Sequence, residues 1–180
     1  MGQGLERLRA VAPPPDEPLE PGVPDRWPEV EAALGTGLPD DFKRFTELYG
    51  SGKFDDFLYL LNPFAADEDG NLLRSGSAML AAYAETRRKF PDRLPLPPYP
   101  EAGGLLALGR SDNGNELYWL TEGEPPSWGV VAFAGRSTQH EVHPHPATEF
   151  LALLLSGDLD TRVFPDSFLR RPAHEFVPSA

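Results

Sequence analysis

The chain has 180 residues, of which 40% are hydrophobic and 11% aromatic, so we expect one domain with a buried core. Its 21 prolines and 17 glycines demand many turns and disfavour long helical bundles. It has no cysteine, which excludes disulfides, thiolate metal sites and a cysteine nucleophile, and its formal net charge of −12 argues against binding a nucleic-acid backbone.

The negative charge is spread unevenly along the chain. Residues 11–70 hold 14 acids and 4 bases, whereas residues 71–180 hold 13 acids and 10 bases. Such an acidic half favours steering toward a basic partner, although solubility alone also accounts for it. No signal peptide begins the sequence, and its longest aliphatic run, Leu153 to Leu155, is far below a membrane span. We therefore expect a cytoplasmic protein with no membrane partner.

The N-terminal residues 1–24 have the composition of a linker. Prolines alternate with acids from Pro13 to Pro24, and Leu5 and Leu8 are spaced as in one helical turn. Proline-rich acidic segments stay extended because they bury little apolar surface. The sequence therefore predicts a poorly ordered tail.

Two short helices follow the tail. Pro28 suits a first helical turn, and Gly35 offers the positive backbone angle of a helix end. The second helix begins near Asp40 and Asp41, and it carries an apolar stripe of Phe42, Phe45, Leu48 and Tyr49. These helices are expected to pack on a sheet.

The rest of the chain reads mainly as strands. The predicted elements are a strand over 54–61, a helix over 76–90, strands over 105–108, 116–120, 128–134 and 141–143, and a helix over 147–155. The Asn113-Gly114 pair between two of the strands predicts a hairpin with a type I′ turn.

These elements resemble the SMI1/KNR4 family, also called the SUKH superfamily. The resemblance lies in the Leu38-Pro39 junction with its acidic pair, the aromatic helix, Gly50-Ser51-Gly52, Gly103-Gly104, and the turn Asp112 to Asn115 with its following strand. It implies an α+β fold with a central antiparallel sheet and helices packed against it. The expected division is a tail over 1–24, the SMI1/KNR4-like domain over 25–164, and an extension over 165–180.

No catalytic or cofactor motif stands out in the sequence. The serines lack a nucleophile elbow, the glycine pairs lack a following Lys-Ser or Lys-Thr, and Asp112 to Glu116 lacks the spacing of a calcium loop. We expect no enzymatic activity and no cofactor. His140, His143 and His145 form a dense cluster that could hold zinc, although Pro144 and Pro146 weigh against a regular strand.

The family resemblance implies a protein-binding module, in bacteria frequently an immunity protein that neutralises a toxin. The hypothesis is that acidic side chains pair with basic residues of the toxin while aromatic side chains anchor it. The candidate acids are Asp40, Asp41, Asp55, Asp56, Asp67, Glu68 and Asp69, and the candidate aromatics are Tyr59, Trp119 and Trp128. Two alternatives remain open, a regulatory scaffold that binds a cellular protein and a small-ligand or metal sensor that uses the histidine cluster.

Overall fold

The structure is a computed structural model that describes residues 2–179. These residues form six α-helices, α1 (Gln3–Val11), α2 (Trp27–Leu34), α3 (Asp40–Tyr49), α4 (Leu72–Lys89), α5 (Ala147–Ser156) and α6 (Asp166–Leu169). Their seven strands are β1 (Gly52–Phe54), β2 (Leu58–Leu60), β3 (Leu105–Ser111), β4 (Glu116–Leu120), β5 (Gly129–Phe133), β6 (His140–His143) and β7 (Phe176–Pro178). The predicted α+β class is confirmed.

The strands form one antiparallel sheet in the order β6-β5-β4-β3-β2-β1-β7. Each strand from β1 to β6 pairs with the next along the chain, which confirms the predicted meander. The last strand returns to pair with β1, where Lys53 faces Val177. The described sheet is therefore bounded by β6 on one side and by the C-terminal strand on the other.

Helices cover both faces of this sheet. On one face, here called the α4 face, Tyr83 of α4 packs against Tyr118 and Phe133 with ring centroids 5.8 and 5.6 Å apart. On the opposite face, here called the α5 face, Phe42 of α3 meets Trp119 edge-on at 4.9 Å. Helix α5 lies on this second face, and α1 packs on α5. Since side chains alternate along a strand, Tyr118 and Trp119 point to opposite helix layers.

The hairpin between β3 and β4 is present, but its turn is not the predicted type I′. Gly114 has φ +88°, whereas Asn113 is not among the residues with positive φ. The amide of Gly114 donates to the carbonyl of Ser111 at 2.9 Å, and the amide of Ser111 donates to the carbonyl of Asn115 at 3.0 Å. This is a three-residue loop that ends in a left-handed glycine. The Ser111 hydroxyl bonds the Asn113 side chain and so favours the longer loop.

The single strand predicted over 54–61 is wrong, because the structure divides it into β1 and β2. Asp55 and Asp56 both adopt the left-handed conformation, with φ of +53° and +54°. The amide of Phe57 then donates to the carbonyl of Phe54 at 2.9 Å. Two successive positive φ angles form a tight hairpin, a conformation that aspartate tolerates better than most residues.

The N-terminal segment is not the poorly ordered tail that the sequence predicts. Leu5 and Leu8 of α1 are buried in the same apolar cluster as the sheet residues. Gly4 lies so close to α5 that an added Cβ would sit 2.6 Å from the backbone nitrogen of Glu149. Two leucines at helical spacing therefore secure residues 3–11, a stretch without proline that precedes the acidic, proline-rich segment.

The proline-rich stretch that follows α1 is extended, as expected, but it is tied to the domain. The Leu19 carbonyl accepts a hydrogen bond from the amide of Ser51 at 2.7 Å. The Glu20 carboxylate accepts from the Ser51 hydroxyl at 2.7 Å and from the Ala66 amide at 2.8 Å. These bonds fix residues 19 and 20 against the start of β1.

Helix α4 begins four residues earlier than predicted, at Leu72. The Asn71 side chain caps it by accepting from the amides of Leu73 and Arg74 at 3.0 and 3.2 Å. The same buried side chain donates to the carbonyl of Ala65 at 2.7 Å, so the loop before the helix is fixed at both ends. The cap positions the acidic residues of this loop.

Candidate functional site

The two tryptophans proposed as partner anchors lie in the core. Trp119 is 0% exposed and Trp128 is 3% exposed. Trp119 sits between Phe42 and Trp128, and the Trp128 indole N–H donates to the Gly123 carbonyl at 3.2 Å. The helix layer on the α5 face covers Trp119, and Trp128, which directly precedes β5, packs against Trp119, so neither tryptophan can contact a partner in this state.

Asp55 is also removed from the predicted acidic surface. Its buried carboxylate accepts hydrogen bonds from the ring Nδ1 of His174 and from the amide of Glu175, the latter at 3.1 Å. The Arg171 Nε atom lies 3.7 Å from the same carboxylate. The His174 Nε2 atom is buried and has no hydrogen-bond partner among the described residues. Because this acid–base pair is closed to solvent, it meets no substrate and acts as a structural clamp.

The two acids at the start of α3 belong to the α5 face. Asp41 accepts from the amide and the hydroxyl of Thr148, both at 3.0 Å, and thereby caps α5. Asp40 remains exposed, with its carboxylate 3.8 Å from the Lys43 ammonium. The structure thus does not join these residues to the other candidate acids.

Three of the candidate residues, Tyr59, Asp67 and Asp69, do come together on the α4 side of the sheet. Tyr59 faces Arg110 across the β2–β3 pairing, and Arg110 faces Glu116, which lies on the α4 face. Beside Tyr59 is a cleft of about 260 Å³ whose rim includes Asp67 and Asp69. We call it the acidic cleft, and its lining residues are Ser51, Gly52, Lys53, Tyr59, Leu60, Asn62, Ala65, Asp67, Asp69, Gly70 and Ser179.

Lys53 is the cation of the acidic cleft, and sequence reasoning missed it. Its ammonium donates to Asp112 at 2.8 Å and lies 5.3 Å from the centre of the Tyr59 ring. The hydrogen bond to Asp112 raises the pKa of the Lys53 ammonium, so the lysine stays charged at neutral pH. Burial raises the pKa of the Tyr59 phenol, which stays neutral and keeps its proton to donate.

Three acids near the acidic cleft keep unpaired carboxylates. Asp56, Asp67 and Asp69 are exposed, and none of them forms an ion pair with another residue of the range 2–179. Glu68 differs, because its carboxylate is 2.9 Å from a guanidinium nitrogen of Arg74. These three unpaired carboxylates therefore contribute negative potential at this site.

The histidine cluster does not assemble as a metal site. The His140 ring stacks on Phe133 at 4.8 Å, while His143 is buried with its Nε2 atom 3.4 Å from the Glu141 carboxylate. Within residues 2–179, no group of three or more His, Cys, Asp or Glu side chains is arranged to hold a metal ion. The alternation of β6 puts His140 and His143 on opposite faces, so the zinc alternative is not supported.

His143 predicts a pH dependence of stability. Burial lowers the pKa of the His143 imidazole below its ordinary value of 6.5, and Glu141 opposes this only in part. A depressed histidine pKa means that the unfolded state binds the proton first, so we expect stability to fall as the pH drops below about 6.5. Urea unfolding of the wild type, His143→Asn and the control His145→Asn between pH 7.5 and 5 would measure it. An unchanged pH slope in His143→Asn would contradict this assignment.

None of the helices formed by residues 2–179 is both long and apolar enough to cross a membrane. Comparisons with protein-family models, with curated proteins and with solved structures find no match to this chain. The resemblance to the SMI1/KNR4 family therefore stays a prediction, and any function has to be argued from the site itself.

Proposed function

We propose that this protein is a non-enzymatic binding module that holds a basic protein partner at the acidic cleft. The observation that carries the proposal is the pair of exposed carboxylates of Asp67 and Asp69, which form no ion pair among the described residues and line one cleft with the half-buried ring of Tyr59. A cleft with an aromatic wall and a negative rim suits one lysine or arginine side chain of a partner.

The mode of binding follows from the geometry of the cleft. A guanidinium entering it would meet Asp67 and Asp69 at the rim and the Tyr59 ring at the wall. Lys53, which also lines the cleft, is already bonded to Asp112 and lies near the Tyr59 ring. Because exposed carboxylates act over about a Debye length, they would speed the encounter with a basic surface.

The partner that best fits this chemistry is a toxin whose substrate-binding surface is basic. Occupying that surface would neutralise the toxin without any reaction, as the SMI1/KNR4 resemblance implies for bacterial immunity proteins. A regulatory scaffold would use the same cleft on a cellular protein, so the two roles differ in the identity of the partner. Either role is compatible with the cytoplasmic location expected from the sequence.

The first experiment captures the tagged protein with its partners from native lysate at moderate salt and identifies them by mass spectrometry. A toxin domain with a basic surface supports the immunity role, and a housekeeping protein supports the scaffold. If no protein is retained at about 0.1 M salt, where exposed charges still attract over about 10 Å, the binding function is contradicted.

The association rate of the captured partner tests the cleft itself. We expect the double variant Asp67→Lys and Asp69→Lys to slow association at least tenfold at low salt, because it reverses the charge of the rim. The matched control is Asp16→Lys with Glu17→Lys, which reverses two exposed, unpaired acids outside the acidic cleft. If the association rate changes equally in both variants, or does not depend on salt concentration, the partner does not bind at the acidic cleft.

A further inference from the structure

A second groove lies on the α4 face, where the C-terminal end of α4 meets the β5–β6 hairpin. It encloses about 700 Å³, within the range of ordinary ligand sites, and shares no lining residue with the acidic cleft. We call it the basic groove. Its lining residues are Ala82, Tyr83, Thr86, Phe90, Arg93, Leu94, Gly114, Glu116, Phe133, Ala134, Arg136, Ser137 and Thr138.

Arginines that form no ion pair with another described residue are concentrated at the basic groove. Of the 16 Lys and Arg residues, ten form an ion pair within residues 2–179. The other six are Arg87, Arg88, Arg93, Arg110, Arg136 and Arg162. Arg93 and Arg136 line the groove, and Arg87 and Arg88 lie in the last turn of α4 beside it. Acids outnumber bases 28 to 16 in this chain, so an even distribution of charge would not place four unpaired arginines at one groove.

The basic groove also exposes apolar surface. Phe90, which directly follows α4, is 51% exposed, whereas most of the 11 phenylalanines are buried in the core. The rings of Tyr83 and Phe133 form the floor, with centroids 5.6 Å apart. An exposed aromatic ring beside unpaired guanidinium groups is typical of recognition sites. There the aromatic side chain anchors the partner and the charged groups orient it.

We propose that the basic groove binds an extended acidic peptide segment of a partner protein, with one aromatic side chain of that segment resting against Phe90. Carboxylates of the segment would accept from Arg93 and Arg136. The proposal concerns a surface separate from the acidic cleft and holds whether or not that cleft binds a basic partner.

The arrangement of charges in the basic groove favours an acidic peptide over a nucleic acid as its ligand. Glu116 lines the groove as well, with its carboxylate accepting from the Tyr118 hydroxyl at 2.6 Å. A phosphate backbone needs a continuous row of cations, whereas the cations that line this groove are two separate arginines. Two or three carboxylates spaced along an extended peptide match the two guanidinium groups without that requirement.

Fluorescence anisotropy of a labelled peptide, Glu-Asp-Glu-Phe-Glu-Asp-Glu, would test the proposal on the full chain. We expect saturable binding with a Kd of about 10 to 100 μM, weakened about tenfold by Arg93→Gln and by Arg136→Asn, since each removes one charge-assisted contact. Asparagine is chosen at position 136 because Arg136 has φ +57°. Phe90→Ala should weaken binding of this peptide. It should not weaken binding of an analogue in which the phenylalanine of the peptide is replaced by alanine.

Arg162→Gln is the matched control, because it removes an exposed and unpaired arginine outside the basic groove. Thermal unfolding of each variant checks the fold. The proposal is overturned if no saturable binding is seen up to about 1 mM. It is also overturned if the Arg93 and Arg136 variants bind like Arg162→Gln, or if labelled single-stranded DNA of the same charge binds more tightly than the peptide.

Discussion

We expect Leu8→Ala to lower the free energy of unfolding by about 3 kcal/mol, a loss typical of a fully buried leucine. Leu8 is 0% exposed, and α1 packs along α5 on the α5 face of the sheet. Removing the side chain leaves a cavity between the two helices that backbone contacts keep from collapsing. Urea denaturation followed by tryptophan fluorescence measures the change. The matched control is Gln3→Ala, an exposed position of the same helix, which should change stability by less than about 0.5 kcal/mol.

Gly4→Ala also tests whether α1 is docked, because the sign of its effect on stability differs between a docked and a frayed helix. In a frayed helix, alanine in place of glycine stabilises the helical state by about 1 kcal/mol. In the docked helix, the added methyl group would lie 2.6 Å from the Glu149 backbone nitrogen, so α1 or α5 must shift. We therefore expect Gly4→Ala to destabilise the protein. A stabilising effect, together with an unchanged Leu8→Ala variant, would mean that residues 3–11 form no part of the domain.

The elements that the sequence predicts well are those whose burial pattern is local. Phe42, Phe45 and Tyr49 of α3 are all buried, as their helical spacing requires. The strands on either side of Gly114 are also found near their predicted positions, although β3 continues to Ser111 and the turn between them is not type I′. Local spacing determines which face is apolar, and the sheet then has few ways to assemble.

The failures come from contacts between distant parts of the chain. The turn at Asp55 looks like the middle of a strand because the partner that holds it, His174, is 119 positions away. The docking of α1 depends on α5, whose Glu149 is 142 positions from Arg7. Composition averages over such contacts and predicts that residues 1–24 are free, whereas Leu5 and Leu8 secure α1 and hydrogen bonds tie residues 19 and 20 to the domain.

The candidate site was predicted only in part, for a related reason. Asp67 and Asp69 are exposed as expected, because charged side chains are rarely buried unless they are paired, and this loop has three consecutive acids. Residue type alone could not separate Asp55 from Asp56, neighbours that share one backbone conformation and differ completely in burial. Lys53 could have been found from its place in the strand before this turn, but its bond to Asp112 requires the β1–β2–β3 pairing.

Asp55 is also where we expect the largest loss of stability outside the apolar core. Asp55→Ala leaves the His174 ring and the Glu175 amide without their acceptor, and it leaves Arg171 without its nearest carboxylate. Removing one partner from a buried polar cluster costs about 3 to 5 kcal/mol, because the remaining groups stay desolvated. Urea unfolding at constant ionic strength measures the loss.

Asp56→Ala separates the lost pairing from backbone strain. Both residues have nearly the same left-handed φ, so alanine is strained equally at either position, but Asp56 is exposed and forms no ion pair within residues 2–179. We expect Asp56→Ala to cost about 1 to 2 kcal/mol, the strain alone. Equal losses in the two variants would show that the buried cluster contributes nothing and that the turn conformation alone stabilises this hairpin.

The same comparison reveals what the cluster fastens. Asp55 joins the β1–β2 turn to the segment that enters β7, since the Asp55 amide also donates to the Glu175 carbonyl at 2.9 Å. If this bond network holds the last strand, Asp55→Ala should speed hydrogen exchange at Val177 and Lys53, which face each other in the β1–β7 pairing, before it affects β4. Asp56→Ala should leave that order unchanged. Uniform exchange along the sheet would mean that β7 unfolds only with the whole domain, and that Asp55 stabilises the global fold instead of a C-terminal clamp.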